Sequence, residues 1–194
     1  MSEDGHFHFA MYLDRILSCR REKSVEYQYH TVVSLSKSLS HGSKHLYQSL
    51  PRMLTIWLEV GSQVAGNRVP PDKVAAYTEK LQLMNRLMGE LCNSLKLYQL
   101  MTALPQLISR ICHSHPGVFE QIAEIVSTLL ATYPQQTMWH MLAVSKSSYN
   151  TRVLRCQEIL QGAKRKKPGL NKFMNDITKL ADRFIELSNK QVID

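Results

Sequence analysis

The sequence predicts an all-α fold, an α-solenoid of antiparallel helix pairs, and three observations carry that expectation. Apolar residues recur with a helical period nearly everywhere, and no stretch alternates residue by residue as a half-buried strand does. Helix starts recur at intervals of about 20 residues, which suits a stack of similar units. The links between periodic stretches are short and carry Gly42, Pro70-Pro71, His115-Pro116, Tyr133-Pro134 and Pro168-Gly169 as punctuation. Short links turn consecutive helices antiparallel.

About nine helices follow in order. The first two span residues 6–20 and 27–40, the second stopping short of Gly42. A third, 49–64, opens on Ser49 as its cap and carries the stripe Leu50, Met53, Leu54, Trp57, Leu58. The fourth, 72–95, follows the Pro70-Pro71 pair. Its residues Val74, Tyr77, Leu81, Met84, Met88, Leu91 and Leu95 keep 3,4 spacing over three heptads. Such a seam fits either a coiled coil, and with it dimerisation, or a long helix packed along its neighbour; Leu83 and Leu87 widen the stripe and favour the second.

The fifth helix, 98–113, places Leu104, Leu107, Ile108, Ile111 and Cys112 on one face, so Cys112 is expected to be buried, with His113 and His115 closing the helix end. The sixth, 116–132, starts on Pro116, where the missing N–H costs nothing, and lines up Val118, Ile122, Ile125, Val126, Leu129 and Leu130 with Glu120, Gln121 and Glu124 outside. The seventh, 135–146, holds Met138, Trp139 and Met141, either as core or as an exposed peptide-binding ledge. The eighth, 149–164, runs into Lys164-Arg165-Lys166-Lys167. That run is either a solvated helix end favoured by the macrodipole or a nuclear-targeting or phosphate-binding patch. The ninth, 169–189, carries Phe173, Ile177, Leu180, Ala181, Phe184 and Leu187. The tetratricopeptide consensus is not legible, so any HEAT- or tetratricopeptide-like repeat is structural and not textual.

Composition places the chain among ordered globular proteins: 194 residues, 44% hydrophobic and 21% charged, with 8 Gly and 7 Pro. The four cysteines form no CxxC pair and fall within helical stripes, which points to a reduced, intracellular protein. The start is acidic and polar, unlike a signal peptide, and no apolar run approaches the ~18 residues of a membrane span, so a soluble protein without membrane contact is expected. Net charge is +8, half of it due to the 164–167 run.

Catalytic and metal signatures do not assemble. Zinc needs three or four converging ligands, whereas His113, His115 and Cys112 have no carboxylate nearer than Glu120, and His6 and His8 stand as a pair. GxSxG, the Gly-rich phosphate loops, and the HRD and DFG elements of kinases are all missing. The expectation is a chain with no catalytic, cofactor-binding or metal-binding residue, whose candidate interface residues are Met138, Trp139, Met141, Lys164, Arg165, Lys166 and Lys167.

Several runs are family-specific. Leu107-Ile108-Ser109-Arg110-Ile111-Cys112-His113-Ser114-His115-Pro116, then Tyr133-Pro134-Gln135-Gln136-Thr137-Met138-Trp139 and Ala143-Val144-Ser145-Lys146-Ser147-Ser148-Tyr149, closely resemble the FAT domain of the phosphatidylinositol-3-kinase-related protein kinases, in its ATR-type checkpoint branch. The run from Tyr47 to Glu59 matches the same family, and Gly5-His6-Phe7-His8-Phe9 begins the likeness more faintly. The resemblance covers residues 5–190 as a single helical-repeat domain. It departs at 66–96 and at Pro105, which lies inside a helix the family runs without proline and leaves a kink at 101–105 open.

The resemblance implies the C-terminal part of a FAT domain, a non-catalytic α-solenoid that clamps a kinase domain lying beyond Asp194. A larger HEAT array would precede Met1. It implies a nuclear parent serine/threonine kinase of the DNA-damage checkpoint. The implied partners are that kinase domain, other helical-repeat segments and regulatory proteins, without direct nucleic-acid contact. The alternative is a free-standing helical-repeat adaptor for protein partners.

Overall fold

The computed structural model describes residues 2–19 and 24–190. Among them lie ten α-helices and no strand: α1 (Glu3–Cys19), α2 (Val25–His41), α3 (Leu46–Ala65), α4 (Val74–Ser94, entered through a 3-10 turn at Pro71–Lys73), α5 (Leu97–Met101), α6 (Leu104–Ser109), α7 (Pro116–Thr132), α8 (Pro134–Ser145), α9 (Asn150–Lys166) and α10 (Leu170–Asn189). The chain forms two compact units, one running to Ile125 and the other from Val126, so the division falls within α7.

In the first unit α2 packs against α1, α3 and α4, and α3 against α4. Trp57 anchors this core with no exposed surface, and its indole N–H donates to Asn85 Oδ1 at 2.8 Å, which satisfies the one polar atom the ring carries inside. The 3,4 seam of α4 is occupied within the unit: Tyr77, Leu81, Met84, Met88, Leu91 and Leu95 are buried, and only Val74 at its start is exposed. Two ion pairs fasten neighbouring helices. Asp14 on α1 receives Arg52 of α3 through both Nε and a terminal nitrogen, and Lys80 of α4 lies 3.0 Å from Glu26 of α2. The Lys80 hydrogen bond lowers the pKa of Glu26 and raises that of Lys80 in return.

Ser49 is not the cap expected of the third helix. The helix starts earlier, at Leu46, because Glu3 Oε1 accepts the His45 backbone N–H at 3.2 Å and Asp4 Oδ1 holds His45 Nε2 at 2.7 Å. His45 then offers its carbonyl to the N–H groups of Gln48 and Ser49 and takes the cap position. Those contacts reach back about 40 residues, beyond what local spacing reveals.

The 98–113 helix is also corrected: it is two short helices, α5 and α6, broken at Thr102 and Ala103. Pro105 brings no N–H for the Met101 carbonyl, and its ring clashes with that carbonyl in a continuous helix. The chain therefore tightens, with Thr102 and Ala103 donating to Gln99 and Leu100, and restarts with Pro105 in the first turn of α6.

In the second unit α8 packs on α9 and α10. Met138, Met141, Cys156, Ile159, Ala163, Leu170, Met174 and Ile177 are buried. The α10 stripe loses its cover past Ile177: Leu180, Phe184, Ile185 and Leu187 are exposed.

Candidate interaction surfaces

The turn after α6 is held by one histidine. His113 is buried, its Nδ1 accepts the His115 backbone N–H at 3.1 Å, and its Nε2 lies 3.0 Å from the Leu58 carbonyl and 3.1 Å from Ser62 Oγ. A ring whose Nδ1 is an acceptor carries its proton on Nε2, so His113 donates to α3 and braces the turn against it. Gly61 makes room for this: a Cβ there would sit 2.9 Å from His113 Cε1 and 2.7 Å from Val118 Cγ2. Cys112, expected on the buried stripe, is exposed instead, because α6 stops at Ser109 and residue 112 no longer shares the face of Leu104, Leu107 and Ile108. His115 has a buried Nδ1 without a partner, and burial, then the nearby His113, lowers its pKa.

His6 and His8 pack at the start of α1. The His6 ring lies 5.3 Å from His41, and His8 meets His45 edge-on, while His45 stacks flat on Phe7 at 3.8 Å. Asp4 holds this corner: hydrogen bonds from His45 and then Lys44 keep its pKa down at about 2. Among the described residues no three His, Cys, Asp or Glu converge as a metal site would require. In the second unit, the Cys156 thiol is buried and directed at the Met141 carbonyl at 3.7 Å, and burial pushes its pKa up to about 11, far from the range of a reactive thiolate.

The structure divides the Met138, Trp139 and Met141 trio. Both methionines are in the core and Trp139 is 52% exposed, since neighbours in a helix point about 100° apart. Of the basic run, Lys164 is half-buried, and Arg165, Lys166 and Lys167 are exposed in the last turn and at the C-cap of α9, beside carbonyls that bear partial negative charge. Residues 126–194 contain eleven of the 24 basic and five of the 16 acidic residues, so +6 of the +8 net charge falls there.

One polar surface of the first unit joins residues that sequence spacing does not bring together. A cleft of about 480 Å³ lies between α3, which contributes Thr55, Glu59 and Ser62, and α6, which contributes Gln106 and Ser109. Arg68 and Arg110 complete it. Arg68 is set by the end of α3: Asn67 takes the left-handed conformation at φ 50°, and the Arg68 N–H closes back on the Gln63 carbonyl at 3.0 Å. Arg110 is the C-cap of α6, its N–H on the Leu107 carbonyl.

Comparison with known proteins places this architecture. Residues 83–181 match the family described as serine/threonine-protein kinase ATR-like, HEAT repeats. The chain is 30% identical to serine/threonine-protein kinase ATR of Drosophila melanogaster over 98% of its own length and 7% of the relative's. It is 32% identical to serine/threonine-protein kinase ATR of Arabidopsis thaliana over 95% of its length and 8% of the relative's, and 30% identical to protein kinase rad3 of Schizosaccharomyces pombe over 80% and 7%. The chain thus spans less than a tenth of these relatives. All-α, built of helices packed on their neighbours, and similar to these proteins along nearly its whole length, the chain belongs to the HEAT-repeat family of ATR-like serine/threonine-protein kinases.

Proposed function

We propose that this chain is a non-catalytic helical segment of a nuclear, ATR-like checkpoint kinase, and that it braces the kinase domain and relays partner binding to it in the DNA-damage response. The observation that carries this reading is the alignment of 98% of the chain with 7% of a kinase, over a stretch matched by a family of helical repeats. Physically, helices packed on their neighbours resist bending, while small rotations between successive pairs add along a stack. The partners are the kinase domain of the parent protein, other helical-repeat segments and regulatory proteins; no cofactor and no nucleic acid is required. A placement in the C-terminal part of the FAT region rests on the runs at 107–116 and 133–149, whereas the family description matching 83–181 names HEAT repeats.

Two measurements test the proposal. Incubated alone with Mg-ATP and a Ser-Gln peptide, the chain is expected to transfer no phosphate; transfer that survives repurification would overturn the non-catalytic role. Transcript mapping is expected to show the reading frame continuing into a kinase sequence. A transcript that ends without one would leave a free-standing adaptor as the function.

A further inference from the structure

The apolar surface of α10 divides into two arcs, and the fold covers one of them. Leu170, Met174 and Ile177 are buried on the side packed toward α8 and α9. At about 100° per residue, Phe173, Leu180, Phe184 and Leu187 fall within about 60° of one another on the adjoining arc. Phe173 is half-buried there and the other three are exposed. A basic residue immediately precedes each of the first three in the chain. Lys172, Lys179 and Arg183, all exposed, thus form a row along the edge of the bare arc that faces away from the packed one. The acids on that edge are Asp176 and Glu186, and Glu186 accepts from Arg183 at 2.9 Å. Asp182 lies on the far side of the helix, tied to Lys146 at the end of α8.

A helix whose apolar stripe is bordered by Lys and Arg can lie in the headgroup layer of a bilayer, its apolar side down and its basic heads reaching the lipid phosphates. Other occupants match less of the surface. A soluble anion, an acidic peptide or a nucleic-acid strand pairs with the basic row but leaves the Leu and Phe side chains in water. A protein groove covers the stripe, yet the +6 net charge of residues 126–194 favours an extended anionic surface, whose attraction sums over the whole unit. Every residue from Arg183 to Lys190 is exposed, so among the described residues nothing stands between this end of α10 and a flat surface. Among the described residues no helix is long and apolar enough to cross a membrane, so such a contact is peripheral. The sequence expectation of no membrane contact rests on that missing span, which a helix lying on a surface does not need. We propose that α10 docks the second unit on an anionic lipid surface, with Leu180, Phe184 and Leu187 entering the headgroup layer and Lys172, Lys179 and Arg183 beside the lipid phosphates. The proposal is independent of the kinase-bracing role, since it needs only the second unit to be folded.

The test is cosedimentation of the full chain with sucrose-loaded vesicles of phosphatidylcholine, with and without about 30% phosphatidylserine. Binding to the anionic vesicles is expected, weaker by about tenfold or more when phosphatidylserine is left out. Leu180→Ser with Phe184→Ser is expected to weaken it about tenfold or more, and Lys172→Gln with Lys179→Gln about threefold or more. Changing Lys164, Arg165, Lys166 and Lys167 together to Ala is expected to weaken it less than the Leu180 and Phe184 pair does. Should the serine substitutions unfold the chain by circular dichroism, Phe184→Trp reads the contact directly, since its indole emission is expected to shift to the blue on anionic vesicles relative to the unsubstituted chain. Absence of binding to anionic vesicles would overturn the proposal and leave a protein partner for the stripe. Binding that survives the loss of Leu180 and Phe184, or an unshifted emission at residue 184, would overturn it as well.

Discussion

His113 joins three pieces of chain with one ring: the Leu58 carbonyl and Ser62 hydroxyl of α3, and the backbone N–H of His115. His113→Ala removes the acceptor of the His115 N–H and the donor that ties the turn to α3, and is expected to cost about 1–3 kcal/mol, read as a lower urea midpoint. Two other titrations share one sign, each losing stability as pH falls. The pKa of His115 is lowered by burial and by His113, so between its folded value and the unfolded one near 6.5 the unfolded chain binds more protons. Stability from this source is full above about pH 6.5 and declines as pH falls below it. His115→Gln is expected to flatten part of the change in melting temperature between pH 7.5 and 5.5; His6, whose pKa is lowered by burial and then by His41, supplies a further part. For Asp4, held at about 2 by His45 and Lys44, the contribution is present above the ordinary carboxylate value of 3.8 and is lost as pH falls toward 2. Asp4→Asn is expected to remove that acid-range loss. The histidines could be counted in the sequence, but their roles could not, because Leu58 and His113 lie 55 residues apart and a reading by periodicity sees only neighbours on one helix.

The α4 seam shows what a helical pattern does and does not disclose. Its 3,4 spacing was legible over three heptads, but the same spacing describes a helix that meets another copy and one that meets its own chain. The structure resolves this through burial of Met84 and Met88 against α2 and α3. Met84→Glu is therefore expected to destabilise the first unit by at least about 3 kcal/mol, a carboxylate forced into a closed apolar site. A folded variant of altered mass by light scattering would instead mean that the seam mediates association. Where the sequence reading of elements failed, at Ser49 and in the 98–113 segment, the reasons were a tertiary contact from α1 and the chain-breaking effect of Pro105 on the Met101 carbonyl. Pro105→Ala supplies the missing donor, and the new amide at residue 105 is expected to be protected from exchange by bonding to the Met101 carbonyl in a continuous helix across 101–105; an unprotected amide there would mean that the break has another cause.

Over the full chain, burial and charge are unevenly distributed. The apolar period of α7 continues without a break from Val118 to Leu130, so no local signal marks the division between units that falls inside it. The second unit carries most of the net positive charge and also the bare stripe of Leu180, Phe184, Ile185 and Leu187 on α10. Exposed apolar stripes promote association. Changing Leu180 and Phe184 to Glu is expected to lower the sedimenting mass at high protein concentration and to shift stability by no more than about 0.5 kcal/mol, as for other surface positions. A large loss of stability would mean that this half of α10 is packed in solution.

The Cys156 thiol, sealed against the Met141 carbonyl, makes the second unit its own reporter. Cys19 and Cys112 are exposed and should alkylate within the time an open thiol needs, whereas Cys156 can react only when α8 and α9 part. Mass spectrometry of the chain quenched at intervals with iodoacetamide would then time the opening of that unit residue-specifically, without any label being introduced.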